Sequence, residues 1–369
     1  MTVSGFAAEA YQPVRVAFAK LIADGRETGA GLSIWANGRE VVQLNGGWSD
    51  AARRRPWASD TLVHTYSTSK PFAALAALTA VAEGALGLDE PIAKYWTDYA
   101  AKGKGDTTLR HILTHRAGLP AFPAPAGTLD ILDDAGLRAC LASAMPETAP
   151  GSTVAEHALT YGHLIDGVLR AATGRSLKEM FTEVVRPALE LDGWFGVPDA
   201  ELHRVAELEF GLASEDFVDK LYPTYRRVLA VPKGSVDLSR LNSSPWRQAA
   251  FGAINLHSSA AALARFYAHL TSAEGPVRRL LGQELHTDYL HTQVCGHDET
   301  VGTTVNWTLG FLRTDSFIGL GGLGGSAAYW SFRPGHAVAY VTRRLHDHAR
   351  VGEIAALLGD DLNTTVSCG

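Results

Sequence analysis

Ser67 and Lys70 stand three positions apart in the segment Ser67-Thr68-Ser69-Lys70. Residues i and i+3 of a helix share a face, so the lysine amine can reach the serine hydroxyl and accept its proton. A lysine can become neutral in a buried site, whereas an arginine stays charged. The pair therefore fits a serine nucleophile with a lysine base, but a serine that caps a helix beside a solvated lysine gives the same pattern.

The residues that follow this pair predict the helix that must position it. The segment from Pro71 to Ala85 has a helical pattern, and a proline is tolerated only in the first helical turn. Ser67 would then lie at the positive end of the helix dipole, where a developing oxyanion is favoured. Because this helix is apolar on nearly every face, we expect it to be buried between two layers.

Two further motifs carry groups that could assist a nucleophilic serine. Tyr161 lies near the start of a predicted helix, and a phenol close to a lysine can relay protons. The segment 319–326 contains five glycines directly before a predicted strand, where a backbone N–H could donate to an oxyanion. Each motif also has a plain structural explanation, as a packed tyrosine or a flexible turn. For His115 we favour a structural role, closing a helix and fixing the loop that follows.

Taken together, these motifs resemble the serine β-lactamase and penicillin-binding protein superfamily, in particular its family VIII carboxylesterases and its class C-like branch. The similarity extends from about residue 28 to residue 345. It is carried by STSK at 67, LTHRAGLP at 113, the tyrosine motif at 161 and GLGGLGGS at 319, in that order. The resemblance implies a β-lactamase-like α+β fold and a covalent acyl-enzyme mechanism.

The resemblance also implies a role for each matched residue. Ser67 would be the nucleophile and Lys70 the general base. Tyr161 would share protons with Lys70 and protonate the leaving group, while the backbone N–H groups of Ser67 and Leu323 would form the oxyanion hole. Weaker candidates for substrate contacts are the motif residues and the aromatic residues near the expected cleft, namely Phe122, His163, Trp246, Leu320, Gly321, Gly322 and Tyr329.

Two departures from the family pattern bear on the substrate. The β-lactamases of the family carry Tyr-x-Asn, whereas the third residue here is His163. They also carry Lys-Thr-Gly, where this chain has Leu320-Gly321-Gly322. A leucine cannot pair with a substrate carboxylate, so we expect a neutral, short-chain ester. The alternatives are a β-lactamase, a D-amino-acid peptidase or amidase, an acyltransferase, and a non-catalytic binding homologue.

Other function classes receive little support. No cofactor or metal is expected, because neither the group His286, His291, Cys295 and His297 nor the segment 346–348 has the spacing of a catalytic metal site. The net charge of −6 gives no basic footprint for nucleic acid. No apolar run is long enough to span a membrane, and no signal peptide is recognised. The oligomeric state is not predicted.

The three cysteines, Cys140, Cys295 and Cys368, are odd in number and far apart, which predicts free thiols and a cytoplasmic protein. The length of 369 residues predicts two domains. Strand patterns near both termini predict an α+β fold in which an antiparallel sheet of about five strands, from residues 1–84 and 250–369, carries a helical domain of residues 85–249.

Overall fold

A large antiparallel sheet forms the base on which the site is built. The computed structural model describes residues 3–363 together with Val366 and Cys368. Nine strands of the described chain form this sheet in the order β1-β3-β2-β13-β12-β11-β10-β9-β8, and two small sheets pair β14 with β6 and β4-β7-β5. The strands are β1 (Ser4–Ala7), β2 (Gly29–Ala36), β3 (Arg39–Gly47), β4 (Val63–His64), β5 (Gly193–Trp194), β6 (Glu209–Phe210), β7 (His257–Ser258), β8 (Val294–Asp298), β9 (Thr303–Trp307), β10 (Leu312–Arg313), β11 (Phe317–Gly321), β12 (Ala327–Ser331), β13 (His336–Thr342) and β14 (Arg344–Leu345).

Helices cover both faces of the large sheet. α1 and α14 pack against one face and α11 packs against the other. Most of the remaining helices come from the central part of the sequence. The helices are α1 (Gln12–Ala23), α2 (Lys70–Ala82), α3 (Leu109–Leu113), α4 (Asp134–Ser143), α5 (Thr160–Thr173), α6 (Leu177–Met180), α7 (Arg186–Leu189), α8 (Ser214–Leu221), α9 (Leu238–Leu241), α10 (Ser244–Gln248), α11 (Ala260–Leu270), α12 (Pro276–Leu281), α13 (Gln283–Leu290) and α14 (Ala349–Leu358).

The strand β13 shows how the sheet divides the core. Val338 and Tyr340 join the apolar cluster under α1 and α14, whereas Ala339 and Val341 join the cluster that contains α2 and α11. This alternation is the period of two that a strand imposes on its side chains. Both faces of β13 are therefore buried, and all seven of its residues are shielded from solvent.

The expected buried helix is confirmed, and the structure also has a tight hairpin between β2 and β3. Asn37 and Gly38 have φ values of 51° and 73°, as a type I′ turn requires, and join β2 to β3. Every residue from Lys70 to Ala80 of α2 is buried, and Pro71 stands in its first turn. The α+β class predicted from the sequence is also that of the structure.

Two expectations about the sheet were wrong. The sheet has nine strands rather than about five. The strands β1 and β8 to β11 have only two to five residues each, which is too short for each to be recognised from its sequence pattern. The pattern of residues 308–314 predicts one continuous strand, but only Leu312 and Arg313 are in a strand, β10, and the preceding residues form a turn closed by the N–H of Thr308 on the carbonyl of Phe311 at 2.9 Å. All nine strands come from residues 4–47 and 294–342. The division into a sheet domain and a helical domain remains a prediction.

The expectation of three free thiols was also wrong. Cys295 of β8 forms a disulfide with Cys368, and Cys140 is free. The two bonded residues are 73 positions apart, so their proximity depends on the tertiary fold. The thiol argument for a reducing compartment therefore no longer holds, and cytoplasmic localisation stays a prediction. Among the described residues, no helix has the length and hydropathy needed to cross a membrane.

A buried ion pair connects α14 to the segment that leads into β2. Arg350 donates to Glu27 at 2.7 Å and to the carbonyl of Gly324 at 3.1 Å, while Tyr340 donates to the same Glu27 carboxylate at 2.7 Å. Both charged side chains are at most 4% exposed. The pair therefore fixes the glycine-rich turn that follows β11 against α14.

Removing one member of this pair should destabilise the protein strongly. Arg350→Met leaves the Glu27 carboxylate buried without its cation, which costs about 3–5 kcal/mol. Urea unfolding followed by circular dichroism measures the loss. The double variant Glu27→Gln with Arg350→Met should recover part of the lost stability. An Arg350→Met variant as stable as the wild type would contradict a buried ion pair between Glu27 and Arg350.

The disulfide has its own test. Protein purified without reductant and then unfolded in guanidinium should expose one thiol to Ellman's reagent, that of Cys140. Prior reduction should expose three. Three thiols without reduction would show that Cys295 and Cys368 are not bonded.

Candidate active site

Ser67 lies in a short 3₁₀ turn, Tyr66–Ser69, that leads directly into α2. Tyr66 has a φ of 49°, which is uncommon for an aromatic residue and marks local backbone strain. Its hydroxyl donates to the carbonyl of Ser235 at 3.1 Å, and the hydroxyl of Ser69 accepts the N–H of Leu256 at 2.9 Å. These contacts from distant segments hold the turn that presents Ser67.

Lys70 is fully buried beneath this turn. Its Nζ atom lies 2.8 Å from Oγ of Ser67, the contact predicted from their spacing in the sequence. The carbonyl oxygens of Ala158 and Ala253 lie 3.4 and 3.5 Å from the same nitrogen. The amine is therefore held against the hydroxyl by carbonyl groups from two other parts of the chain.

Glu156 is the charged partner of Lys70. Its Oε1 atom lies 3.0 Å from Nζ of Lys70, and the side chain is 5% exposed. Its Oε2 atom accepts a hydrogen bond from the hydroxyl of Tyr225. The N–H of Glu156 donates to Asp298 of β8 at 2.9 Å. Backbone and carboxylate are thus both fixed, and a buried ion pair lies directly behind the serine.

The structure does not bring Tyr161 to Lys70. The Tyr161 hydroxyl is buried without a hydrogen-bond partner among the described residues, and Lys70 contacts Glu156 instead. Burial and the Glu156 carboxylate raise the pKa of Tyr161 far above its usual value, which disfavours the phenolate. Its ring packs 5.0 Å from that of His115. The relay predicted for this tyrosine has no supporting contact.

His115 and His157 form a neutral layer behind the ion pair. The N–H of His157 donates to Nδ1 of His115 at 3.2 Å, and Nε2 of His157 accepts the N–H of Leu119 at 3.3 Å. Burial lowers the pKa of His157 to about 4 and that of His115 well below its usual value. Both rings therefore fix the loop after α3, the structural role that we favoured for His115.

The glycine-rich turn after β11 lies against the serine turn. An added Cβ at Gly322 would be 2.1 Å from the carbonyl oxygen of Thr65, so the two backbones are in contact. The N–H of Gly322 closes the turn on the carbonyl of Ser326 at 2.7 Å. Within the described chain, the N–H of Leu323 has no hydrogen-bond partner, and Leu323 lines the same cavity as Ser67. This amide is free to donate to an oxyanion.

A cavity of about 370 Å³ opens at Ser67. Its lining includes Glu156 and Tyr225 as well as residues of β11, β12 and the turn between them. Among the lining residues that the structure describes, Glu156 alone bears a full charge. The remaining wall is largely apolar and includes Leu229, Ile254, Trp307, Leu312, Phe317, Leu320, Val351 and Leu362.

The weaker substrate-contact candidates separate into two groups. Leu320, Gly321, Gly322 and Tyr329 line the Ser67 cavity. The others do not. Phe122 and His163 line a small separate pocket. Trp246 is fully buried in the core beside His64.

Sequence reasoning missed Glu156 and Tyr225. Glu156 stands in the mostly apolar run Val154-Ala155-Glu156-His157-Ala158-Leu159, and a carboxylate flanked by buried residues requires a partner. That signal pointed to a buried ion pair but not to Lys70 as the partner. Tyr225 lies in a polar stretch with no distinguishing pattern, so only the fold reveals it.

Comparisons with known proteins agree on one family. A family model described as Beta-lactamase matches residues 14–360. The esterase/beta-lactamase LipL of Mycobacterium tuberculosis is 34% identical over 52% of this chain and 45% of its own length. The chain thus matches about half the length of this curated relative.

Two solved structures cover nearly the whole chain. A penicillin-binding protein homologue from Caulobacter crescentus has a TM-score of 0.82 at 29% identity, over 97% of this chain and 98% of its own. A family VIII carboxylesterase has a TM-score of 0.81 at 28% identity, over 97% of this chain and 100% of its own. The similarity therefore includes both the sheet and the helices around the cavity.

The contact between the glycine turn and the serine turn generates a prediction. Gly322→Ala should lower kcat by about 10- to 100-fold, because the new methyl group must push the Leu323 amide away from Ser67. Ester hydrolysis under saturating substrate measures it. Gly352→Ala is the matched control, since an added Cβ there meets no atom within 4 Å. Equal kcat values for both variants would contradict the placement of the oxyanion site.

Proposed function

The chain belongs to the beta-lactamase family, and from that premise we propose that it is a serine carboxylesterase acting on small, short-chain esters. The observation that carries the proposal is the 2.8 Å contact between Nζ of Lys70 and Oγ of Ser67 at the mouth of an apolar cavity. A serine hydroxyl beside a buried amine is the arrangement that covalent acyl transfer requires.

In the proposed reaction Ser67 attacks the ester carbonyl and forms an acyl-enzyme. Lys70 draws the proton from Oγ as the bond to carbon forms. The amides of Ser67 and Leu323 would stabilise the oxyanion, and such donors are typically worth about 10²- to 10³-fold in kcat each. Water then takes the place of the alcohol and attacks the acyl carbonyl. The steps of acylation run in reverse order, which releases the carboxylic acid and restores Ser67.

The charge of the cavity favours a neutral ester over an anionic β-lactam. Glu156 supplies a negative charge, and the described lining residues include no lysine or arginine. Burial and the nearby Arg350 lower the pKa of His348, so that ring adds no positive charge either. A substrate carboxylate would lose its hydration without gaining an unpaired cation, because Lys70 already pairs with Glu156. Leu320 stands in the position where the family's β-lactamases carry a lysine. It contributes an apolar side chain to the lining of the cavity.

The named relatives support ester hydrolysis without fixing the substrate. LipL is described as an esterase/beta-lactamase, and the esterase EstB of Burkholderia gladioli is 31% identical over 28% of this chain. A β-lactamase is accordingly the second candidate. A D-amino-acid peptidase or amidase and an acyltransferase share the same acyl-enzyme and follow it.

A paired assay distinguishes these functions. Wild-type protein should hydrolyse p-nitrophenyl butyrate faster than it opens a chromogenic cephalosporin, and Ser67→Ala should abolish both reactions. Mass spectrometry after a short incubation should find the butyryl group on Ser67. Faster cephalosporin opening would favour the β-lactamase, and undiminished ester turnover by Ser67→Ala would refute the nucleophile. Ser69→Ala is a poor control because Ser69 holds the turn, so Ser152→Ala, an exposed serine outside the cavity, serves instead.

A further inference from the structure

Lys70 alone cannot act as the base in the geometry observed. Its Nζ atom forms an ion pair with a buried carboxylate 3.0 Å away, and an ammonium group has no lone pair to accept a proton. The amine must therefore give up one proton before it can take the proton of Ser67. Its other contacts, the carbonyl oxygens of Ala158 and Ala253, cannot bind a proton at neutral pH. Glu156 is the acceptor that remains.

We propose that Glu156 stores the proton of Ser67 during catalysis, with Lys70 as the relay and Tyr225 as the positioning residue. The inference rests on the proposed function, because it requires Ser67 to be the nucleophile. It gives Glu156 the proton-transfer role that the sequence had assigned to Tyr161.

The proton count balances through one cycle of acylation. Oγ of Ser67 forms a bond to the carbonyl carbon, and its proton moves to Nζ of Lys70. At the same time a different proton moves from Nζ to Oε1 of Glu156, which becomes a neutral acid while Lys70 stays an ammonium. When the bond from carbon to the alcohol oxygen breaks, that oxygen keeps the electron pair and takes the proton back from the Glu156–Lys70 pair.

The surroundings of Glu156 fit a group that gains and loses a proton. The carboxylate lines the cavity and so can face the leaving alcohol. Tyr225 donates to its second oxygen, leaving Oε1 directed at Lys70. Burial and Glu156 raise the pKa of Tyr225 well above its usual value, so the phenol remains a donor throughout the working range. Asp298 holds the Glu156 backbone and also accepts the indole N–H of Trp307 at 2.9 Å.

The isosteric substitution Glu156→Gln tests the proposal. It keeps the shape of the side chain but cannot store a proton, so kcat should fall by about 10²-fold or more with little change in KM. The loss should be greater for ethyl butyrate than for p-nitrophenyl butyrate, because p-nitrophenolate leaves without being protonated. A kcat within about threefold of wild type for both esters, or a loss confined to KM, would overturn the proposal.

Two variants keep the test decisive if Glu156→Gln folds poorly. Glu156→Asp retains a carboxylate and should retain more activity than Glu156→Gln, and equal losses at equal thermal stability would count against proton storage. Glu183→Gln makes the same chemical change at an exposed position outside the cavity and should leave kcat unchanged. An inactive Ser67→Ala with a fully active Glu156→Gln would refute this inference alone, whereas an active Ser67→Ala would refute the proposed function.

Tyr225→Phe supplies a readout that a purely structural role would not move. Removing a hydrogen bond to the carboxylate makes its protonation easier, so the acidic limb of the kcat/KM profile should shift to higher pH. Among the described residues, Lys70, Tyr161, Tyr225 and Asp298 interact with Glu156, and His115 and His157 lie close to its partner Lys70. An unchanged acidic limb would show that Tyr225 does not act through Glu156.

Discussion

The ion pair between Lys70 and Glu156 is the interaction on which the rest of the site depends. An ammonium and a carboxylate removed from water are costly, and each is tolerated here because the other lies 3.0 Å away. This constraint explains why so many separate segments converge behind Ser67. α2 supplies the amine, the loop before α5 supplies the carboxylate, and Tyr225 and Asp298 complete the hydrogen bonds of that loop.

The sheet contributes to the same site through backbone geometry. Gly322 brings the turn after β11 within contact distance of Thr65, which leaves the Leu323 amide unpaired beside the serine turn. The Glu27–Arg350 pair holds that turn from the opposite side by binding the carbonyl of Gly324. Two buried ion pairs therefore fix the two halves of the site, one behind the nucleophile and one behind the candidate oxyanion donor. Rigid placement of both is what electrostatic stabilisation of a transition state requires.

The apolar cavity gives the site its chemical preference. With Glu156 as its one charged lining residue among those described, the cavity suits an uncharged acyl group and an uncharged alcohol. Lys70 already pairs with this carboxylate, so an anionic substrate would find no unpaired cation among the described lining residues.

The sequence by itself determined the local features whose cause lies within a few residues. The hairpin at Asn37-Gly38, the buried helix after Ser67 and the Ser67–Lys70 contact all follow from short-range backbone geometry, and the last two were predicted. The tertiary structure alone decided which distant groups meet. It placed Glu156 rather than Tyr161 beside Lys70, bonded Cys295 to Cys368 across 73 residues, and built strands too short to be recognised singly. These outcomes depend on how loops and layers pack, and no periodicity in the chain encodes the distance between two loops.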